Sequence, residues 1–104
     1  MKDQTLIVTG YDDIYRVHRW AVKCFGNYTT NIVKGWNGLG SFAVMPLGRK
    51  HAQMYRDDEI DKFEMVLSKI STDVTVLRVI HEEYDKYNDG KVESGESTRA
   101  ERLI

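Results

Sequence analysis

The sequence predicts a mainly α fold: a small single-domain helical bundle with an αα-hairpin and a short extended or β segment near the N-terminus. Three observations point there. Ile14, Val17, Ala21 and Cys24 share one face of a helix. Ile60, Phe63, Leu67 and Ile70 recur at i, i+3, i+7 and i+10, and Val76, Leu77, Ile80, Tyr84 and Tyr87 fall on a third helical face soon after. At 104 residues the chain has room for one domain with a modest core.

In chain order, Thr5–Thr9 is short, rich in β-branched residues and closed by Gly10, so it reads as a strand or extended arm. Asp12 and Asp13 open the first helix, and Gly26-Asn27 stops it. From Tyr28 to Leu47 the chain is aromatic and punctuated by glycine, which predicts loop plus one short strand. Asp57 and Asp58 stand where an N-cap belongs, and Ser71, Thr72 and Asp73 offer side-chain oxygens to cap a new helix. The two helices between about Asp57 and Tyr87 would then pack as a hairpin against the first helix. Residues 91–104 read as a polar tail, with Arg99–Ile104 at most a helical turn or two.

Hydrophobic content of 41% and charged content of 30% are ordinary for a globular protein. No run approaches the roughly 18 apolar residues of a membrane span, and Leu6-Ile7-Val8 is too short for the core of a signal peptide. The one cysteine, Cys24, cannot form an internal disulfide and reads as a small buried hydrophobe on a helix. A cytoplasmic protein without membrane association is expected.

A net charge of −1 conceals an asymmetry. Residues 1–56 carry 8 Lys and Arg against 3 Asp and Glu, and residues 57–104 carry 7 against 13. Such a dipole holds two halves together or offers each half to a different partner. Arg16, Arg19 and Lys23 form a row of cations on the outer face of the first helix, and Lys34, Arg49 and Lys50 extend the basic half. Together they are the candidate phosphate contacts. Trp20 and Trp36 read as core or anchor residues, and Trp36 is the candidate protein-binding anchor.

The sequence contains no Walker motif, GxGxxG, HExxH, nucleophile elbow or CxxC. The three histidines, His18, His51 and His81, lie far apart without ligand spacing. An enzyme is therefore not expected, nor is a cofactor. One stretch resembles the twelve-residue EF-hand calcium loop: Asp85 as first ligand, Asp89 as fifth, Gly90 at the turn, Lys91 as carbonyl ligand and Glu96 as bidentate carboxylate. Tyr87 stands where the third ligand needs an oxygen, which favours a helix ending in a turn over a calcium site.

Taken in order, VHRWAVK, the glycine-aromatic linker IVKGWNGLGSFAVMP, and the segments RDDEIDKFEMVLSKI and VLRVIHEEYDKY make Ile14–Tyr87 resemble the phage late-gene antitermination proteins called Q, in the shorter class of lambdoid phages other than lambda. That resemblance implies a phage or prophage regulatory protein in a bacterial host. It would load onto RNA polymerase, double-stranded DNA or both, and make the polymerase resistant to terminators. The family reads DNA with a helix-turn-helix-like region after the tyrosines, most of which this sequence lacks beyond Tyr87. Two alternatives stand beside it: a phage-encoded inhibitor whose acidic half, Asp57 to Glu101, binds a host protein, and a calcium-binding module built on the degenerate loop.

Overall fold

The computed structural model describes residues 2–47, 53–70, 73–88 and 90–104. Among them follow β1 (Lys2–Gly10), α1 (Ile14–Phe25), a 3-10 turn (Gly26–Tyr28), β2 (Val33–Lys34), β3 (Gly40–Val44), α2 (Gln53–Ile70), β4 (Thr75–Asn88) and β5 (Lys91–Arg102). The strands form one five-stranded antiparallel sheet in the order β2-β3-β1-β4-β5. The fold is α+β, which corrects the expectation of a mainly α helical bundle. Its order from β1 to β4, with β1 between β3 and β4, is that of the split β-α-β arrangement, and β5 is added by a hairpin.

The core is a sandwich of two layers. Gln4, Leu6, Val8 and Gly10 alternate inward along β1; Gly40, Phe42 and Val44 do so along β3; Val76 and Ile80 do so along β4. Against them α1 buries Ile14, Val17, Ala21 and Phe25, and α2 buries Ile60, Phe63 and Leu67. Phe25 and Phe63 meet edge to face at 5.2 Å, joining the two helices. The opposite face of the sheet carries Thr5, Ile7, Thr9, Ser41, Ala43, Thr75, Leu77 and Val79, paired across the strands by register.

Both expected helical stripes before residue 71 are present. α1 has the predicted bounds from Ile14, and α2 begins at Gln53, so Asp57 and Asp58 lie in its second turn rather than at its cap. Asp57 instead accepts a hydrogen bond from Gln4 Nε2 at 2.6 Å. Of the capping residues expected between the two hairpin helices, Ser71 and Thr72 lie outside the described residues, and Asp73 accepts the backbone N–H of Asp12 at 2.9 Å.

The second helix of the expected hairpin is a strand. Val74, Thr75, Val76, Val79 and Ile80 are β-branched and sit poorly in a helix but well on a pleated surface. Val74, Val76 and Ile80 also satisfy a period of two, and β1 supplies a paired edge across eight residues of register, from Lys2↔Glu82 to Thr9↔Thr75. Leu77, expected on the inner face, therefore points to the other side of the sheet and is 36% exposed.

The expected polar tail is β5, paired with β4 from Leu77↔Arg102 to Asn88↔Lys91, and Leu103 and Ile104 pack against the core. The stretch that resembles the calcium loop falls in the same pairing. Asp85 lies opposite Ser94 and Glu96 opposite Glu83 on extended backbone, with Lys91 opposite Asn88 and Gly90 at φ 76° in the turn. Asp89 lies outside the described residues.

Candidate nucleic-acid interface

Helix α1 exposes what it does not bury. Tyr15, Arg16, Arg19, Val22 and Lys23 face outward because Ile14, Val17 and Ala21 commit the other side to the core. The structure brings the predicted row together: Arg16, Arg19 and Lys23 line a groove of about 230 Å³ between α1 and α2, with Trp20, Val66 and Ile70 as its apolar wall. Arg16 and Lys23 stand seven positions apart on the helix, about 10 Å along the axis. Arg16 also pairs with Asp13 at 2.6 Å, so part of its charge is already compensated. Trp20 donates its indole N–H to the Phe63 carbonyl at 3.4 Å, which holds the ring at the seam between the helices.

Lys34 belongs to the same surface. Its ammonium lies 4.7 Å from the centre of the Tyr15 ring, so the β2–β3 hairpin and the first turn of α1 share a cation–π contact. Trp36 sits at the tip of that hairpin and is 102% exposed, which corrects its expected core role and leaves it available as an anchor. The tip is ordered by its own backbone. Gly35 donates to the Leu39 carbonyl at 2.9 Å, Gly38 donates to the Gly35 carbonyl at 3.0 Å, and Asn37 Oδ1 accepts the Leu39 N–H at 3.2 Å. Gly38 adopts φ 88°, a conformation that L side chains rarely take.

Arg49 and Lys50, the remaining predicted contacts, lie outside the described residues, as does His51. The other two histidines serve the fold. His18 shares a 2.8 Å hydrogen bond with the Thr30 carbonyl and meets Phe42 edge to face at 4.9 Å, while His81 Nδ1 lies 3.1 Å from Thr98 Oγ1. Cys24 packs beside the core, and burial pushes its thiol pKa up. Sequence reasoning missed Tyr15 as the partner of Lys34 and Val66 and Ile70 as the groove wall. Tyr15 stands four residues before Arg19, so a helical projection would have placed it on the basic face.

Charge is laid out on two flanks, the second of them mixed in sign, since Arg78 and Arg99 line it beside Asp57, Asp61 and Glu101. The basic row lies on α1 with β2 beside it; across α2, Asp57 and Asp61 face a cleft bounded by β1, β4 and β5. Among the described residues, no group of three or more His, Cys, Asp or Glu side chains is placed to hold a metal ion. Nor is any helix there long and apolar enough to cross a membrane. No family model matches the chain, and neither a curated protein nor a solved structure matches it.

Proposed function

We propose that this protein is a regulatory binding protein that engages double-stranded nucleic acid through α1, with Arg16, Arg19 and Lys23 contacting phosphates and Lys34 extending the row. The observation that carries the reading is the groove in which those three cations converge beside an ordered indole. Contacts of this kind position a protein on the backbone without reading bases, so the binding is electrostatic and sensitive to salt. In the antitermination family that the sequence resembles, a helical region after the tyrosines reads DNA. Here β5 is the element that follows the tyrosines, and α1 is the element that presents cations instead.

A protein partner is the second reading, and Trp36 favours it. An exposed tryptophan on a hydrogen-bonded turn is offered from an ordered backbone, so docking costs the side chain's freedom but little of the backbone's. RNA polymerase is the partner that the resemblance names, and another host protein would be held in the same way.

A fluorescence-anisotropy titration with a labelled DNA duplex tests the first reading. Weak binding is expected, on the order of 10⁻⁴ to 10⁻⁶ M at physiological salt. The double substitution Arg16→Glu with Arg19→Glu should abolish it while leaving the thermal transition in place. Unchanged affinity in a folded charge-reversed protein would discard the α1 surface and turn attention to Trp36.

A further inference from the structure

β4 and β5 run on together past the rest of the sheet. The register of β1 with β4 ends at Lys2↔Glu82, whereas β5 stays paired with β4 as far as Asn88↔Lys91 at the turn. Residues 83–88 and 91–96 therefore make a ribbon of six pairs, Glu83↔Glu96 to Asn88↔Lys91, with no third strand among the described residues. At about 3.3 Å per residue the ribbon projects roughly 20 Å. The molecule is drawn out accordingly. Its longest extent is 55 Å, and its radius of gyration is 16.0 Å, against about 13 Å for a compact chain of this length.

Two observations point to a partner strand. A ribbon of two strands is marginally stable in water by itself and gains stability from a third. The outer edge of β5 is open along its length among the described residues, so its backbone groups are a template for pairing. The other observation is the order of charges in β5. Place a two-fold axis at Glu96 and pair the strand antiparallel with a second copy. Lys91 then stands opposite the partner's Glu101 and Glu93 opposite the partner's Arg99, while Val92 and Ser94 meet the uncharged partner's Ala100 and the partner's Thr98. Symmetry repeats each pair, so opposite charges outnumber the one like-charged position, Glu96 on itself. Neighbouring registers lack this match. An axis at Gly95 sets Lys91 opposite the partner's Arg99, and an axis at Ser97 sets Glu93 opposite the partner's Glu101.

We propose that β5 is the interface of a two-fold dimer of this chain, with the axis at Glu96. Residues 91–95 of each ribbon lie along residues 97–101 of the other copy, the part of β5 already backed by β4 and β1. Each ribbon thus gains the third strand it lacks, and the two sheets join edge to edge. The self-matching order of charges favours a second copy over an unrelated strand. This interface does not involve α1 and is independent of the function proposed for it.

Sedimentation equilibrium tests the interface, with a monomer–dimer equilibrium expected between about 10⁻⁶ and 10⁻³ M. Glu93→Arg and Arg99→Glu should each weaken the dimer by about tenfold or more, because opposite charges become like at two symmetric places. Glu93 also lies opposite Lys86 of its own chain, and Arg99 lines a cleft beside Asp57 and Asp61, so either loss alone can arise inside the protomer. The two substitutions combined carry the test: the double variant should dimerise at least about fivefold more tightly than either single one. Glu96→Gln should tighten the dimer, because it removes the like charges at the axis. A chain still monomeric at about 10⁻³ M, a double variant no tighter than the single ones, or a Glu96→Gln dimer weaker than the parent would each overturn the proposal.

Discussion

The guanidinium carbon of Arg56 lies 5.0 Å from the ring centre of Phe25, in the seam between α2 and the end of α1. Tyr28 flanks the same guanidinium at 5.1 Å. The residue is 3% exposed, none of its side-chain nitrogens has a hydrogen-bond partner among the described residues, and the carboxylate of Glu59 is 3.8 Å away. Burial lowers the pKa of this group, with Glu59 opposing the shift, yet an arginine remains charged throughout the working range. The two rings return about 2 kcal/mol of cation–π attraction, less than the several kcal/mol that desolvating an ion costs. Arg56→Met should accordingly keep the packing and raise stability by about 1–4 kcal/mol. Arg56→Ala should lower it, because the rings lose their neighbour. Urea denaturation of the three proteins decides this, and a Met variant less stable than the parent would mean that the guanidinium earns its place.

Leu67 and Leu77 both fit helical stripes in the sequence, but only Leu67 is fully buried. Leu67→Ala should cost about 2–5 kcal/mol through the cavity it leaves. Leu77→Ala should cost under about 1 kcal/mol, because its side chain lies on the sheet face away from the helices. Equal losses at the two positions would be incompatible with β4 as a strand.

That pair of leucines marks what the sequence disclosed and what it withheld. Ile14–Phe25 and the Ile60–Ile70 stripe were legible because each repeats at helical spacing without a competing pattern. From Val74 to Tyr87 two periods coexist: Val76, Leu77, Ile80, Tyr84 and Tyr87 match a helix, whereas Val74, Val76 and Ile80 match a strand. The decision between them lies outside the segment, in the open edge of β1, and in five β-branched residues that favour a pleated surface. Lys91–Arg102 carries no apolar alternation, so its strand depends on the β4 edge and could not be read from its own residues. On the functional side, Arg16, Arg19 and Lys23 were legible as a row because helix geometry alone places them together. The ribbon that β4 and β5 form beyond Glu82 was not, since it depends on where the register of β1 ends.

Cys24 should behave as a sluggish thiol. Burial raises its pKa above the ordinary value, with Lys62 partly opposing, so the folded protein holds the proton longer than the unfolded chain. The unfolded thiol ionises first, and from about pH 8.5 upward this group makes stability fall as pH rises. Alkylation by iodoacetamide at pH 8 should be slower in the native protein than in urea. A native rate equal to the denatured one would show that the site does not suppress the thiolate.

Calcium should bind weakly if at all, with a dissociation constant on the order of millimolar. Asp85 and Glu96 belong to opposite strands of a hairpin whose backbone is extended, and Tyr87 brings no carboxylate or amide oxygen to the third ligand position. Isothermal titration settles the point. Micromolar affinity that vanishes in Glu96→Gln would require 85–96 to refold around the metal.

The basic flank makes a quantitative demand on salt dependence. Arg16, Arg19, Lys23 and Lys34 are exposed cations on one side of the molecule, and each phosphate they neutralise releases condensed counterions. If all four engage a duplex, the logarithm of affinity should fall with the logarithm of salt at a slope of about −3 to −4. The shallower value is expected because Asp13 already holds Arg16. Lys34→Ala should reduce that slope by about one while freeing the Tyr15 ring. Trp36→Ala discriminates further: it removes a side chain that touches no core residue, so stability should stay within about 0.5 kcal/mol of the parent. An unaltered duplex affinity in that variant, together with lost capture of RNA polymerase, would assign the hairpin tip to a protein partner and α1 to the nucleic acid. A salt slope near zero in the parent would instead remove phosphate contact from the function of α1 altogether.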